Sequence, residues 1–89
     1  MTTARTVTIT NKRGLHARAS AKFVTLASSQ SAAVEVEKDG SKVAGTSIMG
    51  LMMLGAAMGD SVTISASGDG APQAVDALCG LVENKFGEE

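Results

Sequence analysis

The chain contains one histidine, His16, in the stretch Gly14-Leu15-His16-Ala17-Arg18-Ala19-Ser20. A neutral imidazole, the prevalent form near pH 7, keeps a lone pair on one ring nitrogen that can attack phosphorus. The turn-forming run Asn11-Lys12-Arg13-Gly14 precedes it and an apolar pattern of helical spacing follows, so His16 falls where a helix begins. The first amide N–H groups of a helix have no intrahelical acceptors, and the helix dipole adds partial positive charge there. Arg18 adds a full charge whose forked donors fit phosphate oxygens. Nucleophile and anion site coincide, which makes phosphoryl transfer through His16 feasible. The same residues also fit a solvated histidine standing in for a helix cap. They fit, too, an anion- or protein-binding regulatory module that grips an anion through His16 and Arg18 without transfer. Other reactive groups are scarce: one histidine and one cysteine, Cys79, do not make a metal site of three or four ligands.

The elements that must position His16 follow from periodicity. Residues Arg5 to Thr10 alternate, with Val7 and Ile9 on one side, as a half-buried strand requires. From Ala17 to Ala27, the residues Ala19, Phe23, Leu26 and Ala27 recur at spacings of three and four, the mark of an apolar helix face. Ala33 to Glu37 and Lys42 to Ala44 read as strands of a hairpin turning at Asp39-Gly40. Ser47 can cap a short helix, Ile48 to Leu54, that Gly55 closes. Ser61 to Ser67 alternates again, and Ala74, Val75, Leu78, Val82 and Phe86 trace one face of a last helix starting near Pro72. The order β-α-β-β-α-β-α in 89 residues suits a two-layer, open-faced α/β (α+β) sandwich with three helices over one face of the sheet.

Composition narrows the function classes. Hydrophobic residues make up 44% of the chain, yet only two are aromatic and both are phenylalanine, so the stacking platforms of single-strand nucleic-acid binders are missing. No signal peptide or membrane-length apolar run is visible, and a lone cysteine cannot form an internal disulfide, which favours a cytoplasmic protein. Cys79 lies on the apolar face of the last helix and is expected as a buried small hydrophobe. The net charge of −1 hides a division: Met1 to Val34 holds five basic residues and no acid, while Glu35 onward carries −6. A basic face would draw phosphate or an acidic partner. Leu51 and Leu54 are expected in the core, leaving Ile48, Met49 and Met52 for an exposed patch suited to docking several partners; an all-core methionine helix is the competing reading.

The stretch Gly14 to Ser20 (GLHARAS) resembles the active-site motif of the HPr family of histidine-containing phosphocarriers. Ser47 to Gly55 (SIMGLMMLG) resembles that family's second signature at a matching distance. The element order agrees, so the resemblance covers the whole chain as a single HPr-like domain, residues 1–89, with a four-stranded antiparallel sheet. It implies a carrier of the phosphoenolpyruvate-dependent phosphotransferase system that accepts a phosphoryl group on Nδ1 of His16 from phosphorylated enzyme I. The group would pass to an enzyme IIA, in sugar uptake or nitrogen-related regulation. Arg18 would steady the phosphate, Ser47 would be a regulatory site for an HPr serine kinase/phosphorylase, and Ile48, Met49 and Met52 would meet partners. The resemblance further implies a monomer that needs no cofactor or metal, a carrier with a transient phosphohistidine rather than a free-standing enzyme. Ala19 stands where the family usually has proline. Alanine is a good helix former, so helix initiation survives and the departure bears on the branch of the system.

Overall fold

The computed structural model describes residues 2–88. In chain order its elements are β1 (Thr2–Thr8), α1 (Ala17–Ser28), β2 (Ala33–Lys38), β3 (Ser41–Ala44), α2 (Ile48–Met53), β4 (Ser61–Ser67), α3 (Ala71–Glu83) and a short 3-10 turn (Lys85–Gly87). The four strands form one antiparallel sheet in the order β1-β4-β2-β3. Both β1 and β2 run opposite to β4, so they are parallel to each other, and α1 is the crossover between them. Asp39 and Gly40 both have positive φ (51° and 83°), and Lys38 pairs with Ser41 across them, the two-residue hairpin that an Asp-Gly pair favours.

The helices cover one face of the sheet, and the expected sandwich is found. Inward-facing Val7, Val34, Val36, Val62, Ile64 and Ala66 meet Ala19, Phe23 and Ala27 of α1, Leu51 of α2 and Ala74, Val75, Leu78, Cys79 and Val82 of α3. The other face is polar; Thr6 and Thr63, directly opposite on β1 and β4, share a hydroxyl hydrogen bond of 2.9 Å. No helix among the described residues is long and apolar enough to cross a membrane.

Three expectations shift. β1 spans Thr2 to Thr8 rather than Arg5 to Thr10, because Ile9 leaves the ladder with β4 and bonds instead to the Gly59-Asp60 loop, in both directions at 2.8 Å. On α1 the buried set is Ala19, Ser20, Phe23 and Ala27, while Leu26 is only partly covered beside Leu81 of α3. Ser20 can be interior because its hydroxyl donates to the Leu15 carbonyl at 3.2 Å. Finally, α3 ends at Glu83, so Phe86 is not on its face. Lys85 and Phe86 take left-handed conformations (φ 56° and 55°) that fold the chain back, and the Phe86 ring is buried from this separate turn.

The turn before α1 is locked against the loop after α2. The Leu15 N–H donates to the Ala56 carbonyl at 3.0 Å, and Gly14 has φ +63° with its Cα against that loop. A Cβ at Gly14 would lie 2.3 Å from the Ala56 oxygen and 2.9 Å from the Ala57 Cα, both backbone atoms that cannot swing aside. Gly14→Ala is therefore expected to lower stability by about 2–4 kcal/mol through left-handed strain and overpacking together, read as a drop in the urea unfolding midpoint. A midpoint close to wild type would mean that the two loops are not held as described.

Candidate functional site

His16 is the N-cap of α1, with extended backbone (φ −74°, ψ 179°). Its carbonyl accepts the first intrahelical bond, from the Ser20 N–H at 2.9 Å, and its Nδ1 accepts from the Arg18 N–H at 3.2 Å. An imidazole nitrogen that accepts a hydrogen bond carries the lone pair, so the proton of the neutral ring is on Nε2. Nε2 faces the carboxylate of Glu88, Oε2 lying 2.5 Å away. The Ala17 and Ala19 N–H groups belong to the same first turn and have no intrahelical acceptor. No acidic residue stands in that turn to offset the positive helix end.

The site is assembled from both ends of the chain. Asn11, fully buried in the turn before α1, donates from Nδ2 to the Gly14 carbonyl at 2.9 Å and to Oε1 of Glu88 at 3.1 Å. Lys22, on α1, donates from Nζ to the Phe86 carbonyl at 2.7 Å. The segment after α3 is thereby pinned by a buried ring and a lysine, and its Glu88 covers the outer side of the imidazole. The side chains of His16 and Glu88 keep 17% and 19% of their accessible surface. Partial burial works to raise the Glu88 carboxyl, but hydrogen bonds from His16 and Asn11, with the charges of His16 and Lys22, outweigh it and hold the group below its ordinary range.

The structure brings His16 and Arg18 together at the start of α1. The Arg18 side chain is exposed, and among the described residues nothing bonds its guanidinium, so the charge is free to meet an anion. Lys12 and Arg13 are exposed in the preceding turn, and Lys22 is one helical turn beyond Arg18, so four of the five early basic residues come from the elements that present His16. Arg5 stands apart on the sheet, paired with Asp76 at 3.2 Å. Glu88 and Asn11 were not legible as site residues. Asn11 has the composition of a turn residue and no more, and Glu88 is separated from His16 by the whole fold.

Ser47 is the N-cap of α2, its Oγ accepting from the Gly50 N–H at 3.0 Å. Ile48, Met49 and Met52 are exposed, Met49 to 68%, while Leu51 and Leu54 are buried. Met53, 80% exposed, and Met58 are further exposed methionines beyond the three residues singled out from spacing. α1 and α2 pack against each other, so the histidine and this surface lie on adjoining elements. Cys79 is fully buried. Among the described residues there is no group of three or more potential metal ligands.

Comparison with known proteins gives a consistent result. Residues 3–84 match the family described as the PTS HPr component phosphorylation site. The chain is 48% identical over 84 residues to the phosphocarrier protein HPr of Cupriavidus necator, covering 94% of each chain. It is 44% identical over 84 residues to the phosphocarrier protein NPr of Shewanella violacea, covering 94% of this chain and 92% of that one. Among solved structures it resembles an HPr from Thermoanaerobacter tengcongensis with a TM-score of 0.93 and 50% identity, over 98% of both chains.

The Glu88 contact has a consequence for stability. A carboxyl whose folded pKa is depressed contributes stability that is fully present above its unfolded pKa and lost as pH falls through the folded one. Wild type is therefore expected to be more stable than Glu88→Gln near pH 6, and this advantage is expected to vanish as pH falls from about 4.5 toward 2. Urea unfolding of both proteins across that range measures it. A difference that stays constant with pH would show that the carboxylate charge is not its source.

Proposed function

Because the chain belongs to the HPr family of phosphocarriers of the phosphotransferase system, we propose that His16 is its phosphoryl acceptor, charged by phosphorylated enzyme I and discharged to an enzyme IIA of the sugar or nitrogen branch. The observation that carries this reading is the placement of Nδ1, with its lone pair, at the open amide end of α1. In the transfer, the Nδ1 lone pair forms the bond to phosphorus as the donor's bond to phosphorus breaks. The Arg18 amide, which had capped the helix through that lone pair, is left beside the new phosphoryl oxygens and caps through them instead. The Ala17 amide and the Arg18 guanidinium supply further donors, so charge gathering on the transferred group meets a prearranged positive end.

Little else is needed of the carrier itself. Transfer between two held nitrogens depends on alignment and charge stabilisation, and the partner supplies part of both. The exposed basic residues Lys12, Arg13 and Arg18 favour an acidic partner, and Ile48, Met49 and Met52 on the adjoining helix give it an apolar surface to dock on. Ser47 borders that surface and is the regulatory site of the reading, for a serine kinase/phosphorylase of the family. The protein works as a cytoplasmic monomer that meets each enzyme in turn.

Incubation with enzyme I and phosphoenolpyruvate is expected to place an acid-labile phosphoryl group on the wild type and none on His16→Ala. Loss of the cap in that variant costs about 0.5–2 kcal/mol, so circular dichroism is expected to show it folded. Arg18→Ala is expected to transfer more slowly by the equivalent of roughly 1.5–3 kcal/mol, one charge-assisted hydrogen bond, with the helix amides still in place. Label on His16→Ala would overturn the assignment, and full transfer by Arg18→Ala would remove the arginine from it.

Phosphorylating Ser47 adds about −1.5 to −2 charges at the start of α2, where free amides accept them, so the fold is expected to hold. The same charge lies beside Ile48 and Met49, where a docking partner must desolvate it, and it repels an acidic partner. Ser47→Asp is therefore expected to show a raised KM as substrate of enzyme I, with thermal unfolding near wild type. An unchanged KM would leave Ser47 as a helix cap only.

A further inference from the structure

We infer that Glu88 is a positioning residue for His16, acting through Nε2 to hold the ring in the one protonation form and orientation that leaves Nδ1 ready to take a phosphoryl group. The inference rests on the reading of His16 as acceptor and adds a residue to it. Two hydrogen bonds on opposite sides of the ring make the same demand. The Arg18 N–H at Nδ1 requires a lone pair there, and the Glu88 carboxylate at Nε2 requires a proton there. Glu88 is itself held. Its second oxygen accepts from buried Asn11 at 3.1 Å, and its backbone N–H donates to the Lys85 carbonyl at 2.9 Å. The buried Phe86 ring and the Lys22 bond to the Phe86 carbonyl anchor the segment that carries it. A carboxylate placed in this way fixes both tautomer and ring rotation, as the outer partner of a reactive histidine does elsewhere.

The chemistry gives the contact a purpose. When Nδ1 attacks, its lone pair becomes the new N–P bond, and the donor's P–N bond breaks with its electron pair remaining on the donor nitrogen. The His16 ring then carries a positive charge, with its one N–H proton still on Nε2, where it was at the start. No proton has to leave. The charge develops 2.5 Å from the Glu88 oxygen, so the carboxylate favours the phosphorylated ring more than the free one. A ring protonated on Nδ1 would have to lose that proton before it could attack.

The test combines a spectroscopic reading on the unphosphorylated protein with a transfer rate. In 15N-labelled wild type the Nε2–H proton is expected as a resolved downfield resonance protected from solvent exchange. Glu88→Ala is expected to lose that resonance and to accept phosphoryl groups from enzyme I roughly tenfold more slowly, the scale of one charge-assisted hydrogen bond, with its unfolding midpoint as the control for fold. Glu88→Gln, whose carbonyl can accept the same proton without charge, is expected to keep the resonance and recover part of the rate. An unprotected Nε2–H in wild type, or Glu88→Ala transferring at or above the wild-type rate, overturns the positioning role. Wild-type protein that is never phosphorylated overturns the carrier reading instead; wild type that is phosphorylated while Glu88→Ala keeps pace overturns only the role of Glu88.

Discussion

The site depends on how the first turn of α1 is capped. Serine, threonine, aspartate or asparagine would satisfy its amides most strongly. The chain uses a neutral imidazole instead, which accepts from the Arg18 N–H at 3.2 Å and leaves the Ala17 amide outside the cap. An aspartate in this place would start the helix more firmly and offset the positive end that the proposed phosphoryl transfer relies on. A serine would leave the end positive but offer a hydroxyl in place of a basic nitrogen. The imidazole starts the helix adequately while keeping both the positive end and a nucleophile beside it, which is the arrangement a phosphoryl carrier requires.

A weak cap has to be held in place by the fold around it. The backbone on its N-terminal side is fixed twice, by the Leu15 N–H on the Ala56 carbonyl and by the Ser20 hydroxyl on the Leu15 carbonyl. Gly14 permits the close approach because it has no Cβ to strike the Ala56 oxygen. The loop that receives it is held in turn by Ile9, which bonds Asp60 and Gly59 where β1 leaves β4. The position of His16 is thus determined by the edge strand β1 and its antiparallel partner β4, through a short chain of backbone bonds, and not by α1 alone. Early departure of Ile9 from the ladder, which ends β1 at Thr8, is part of this attachment.

Elements governed by local periodicity were legible in the sequence, and those governed by long-range closure were not. Alternation in Val62-Ile64-Ala66 and helical spacing around Phe23 report a face toward the core, and the structure has both. The cap at Ser47 and the turn at Asp39-Gly40 are local chemistry and stand where their residue types place them. His16 and Arg18 were legible because helix start and charge lie within three residues. Phe86 looked like the last position of α3, since its spacing from Val82 is helical. What decides its conformation is the cavity its ring fills and the Lys22 bond to its carbonyl, neither of which has a signature in neighbouring residues. Glu88 and Asn11 were missed for the same reason: they meet 77 positions apart, and only the folded sheet brings the turn after β1 beside the end of the chain.

On the roles proposed for His16 and Ser47, the difference between the two helix caps separates carrying a phosphoryl group from being marked by one. At α2 the cap is the Ser47 hydroxyl, at α1 the His16 imidazole, and each accepts from a backbone N–H at 3.0–3.2 Å. A phosphoryl group on an imidazole nitrogen is bound to a good leaving group, because the departing nitrogen takes back its electron pair as a neutral ring and needs no proton to do so. Exchange from one histidine to another therefore joins states of similar energy and runs in either direction. A phosphoserine ester has an alkoxide as its leaving group, which must be protonated as it departs, and the bond persists until a separate enzyme supplies that proton and a new acceptor. With the proposed roles of His16 and Ser47, the same cap geometry would give a short-lived load at α1 and a lasting charge at α2. Packing of the two helices against each other would put that lasting charge next to the surface proposed for docking the partners that load and unload His16.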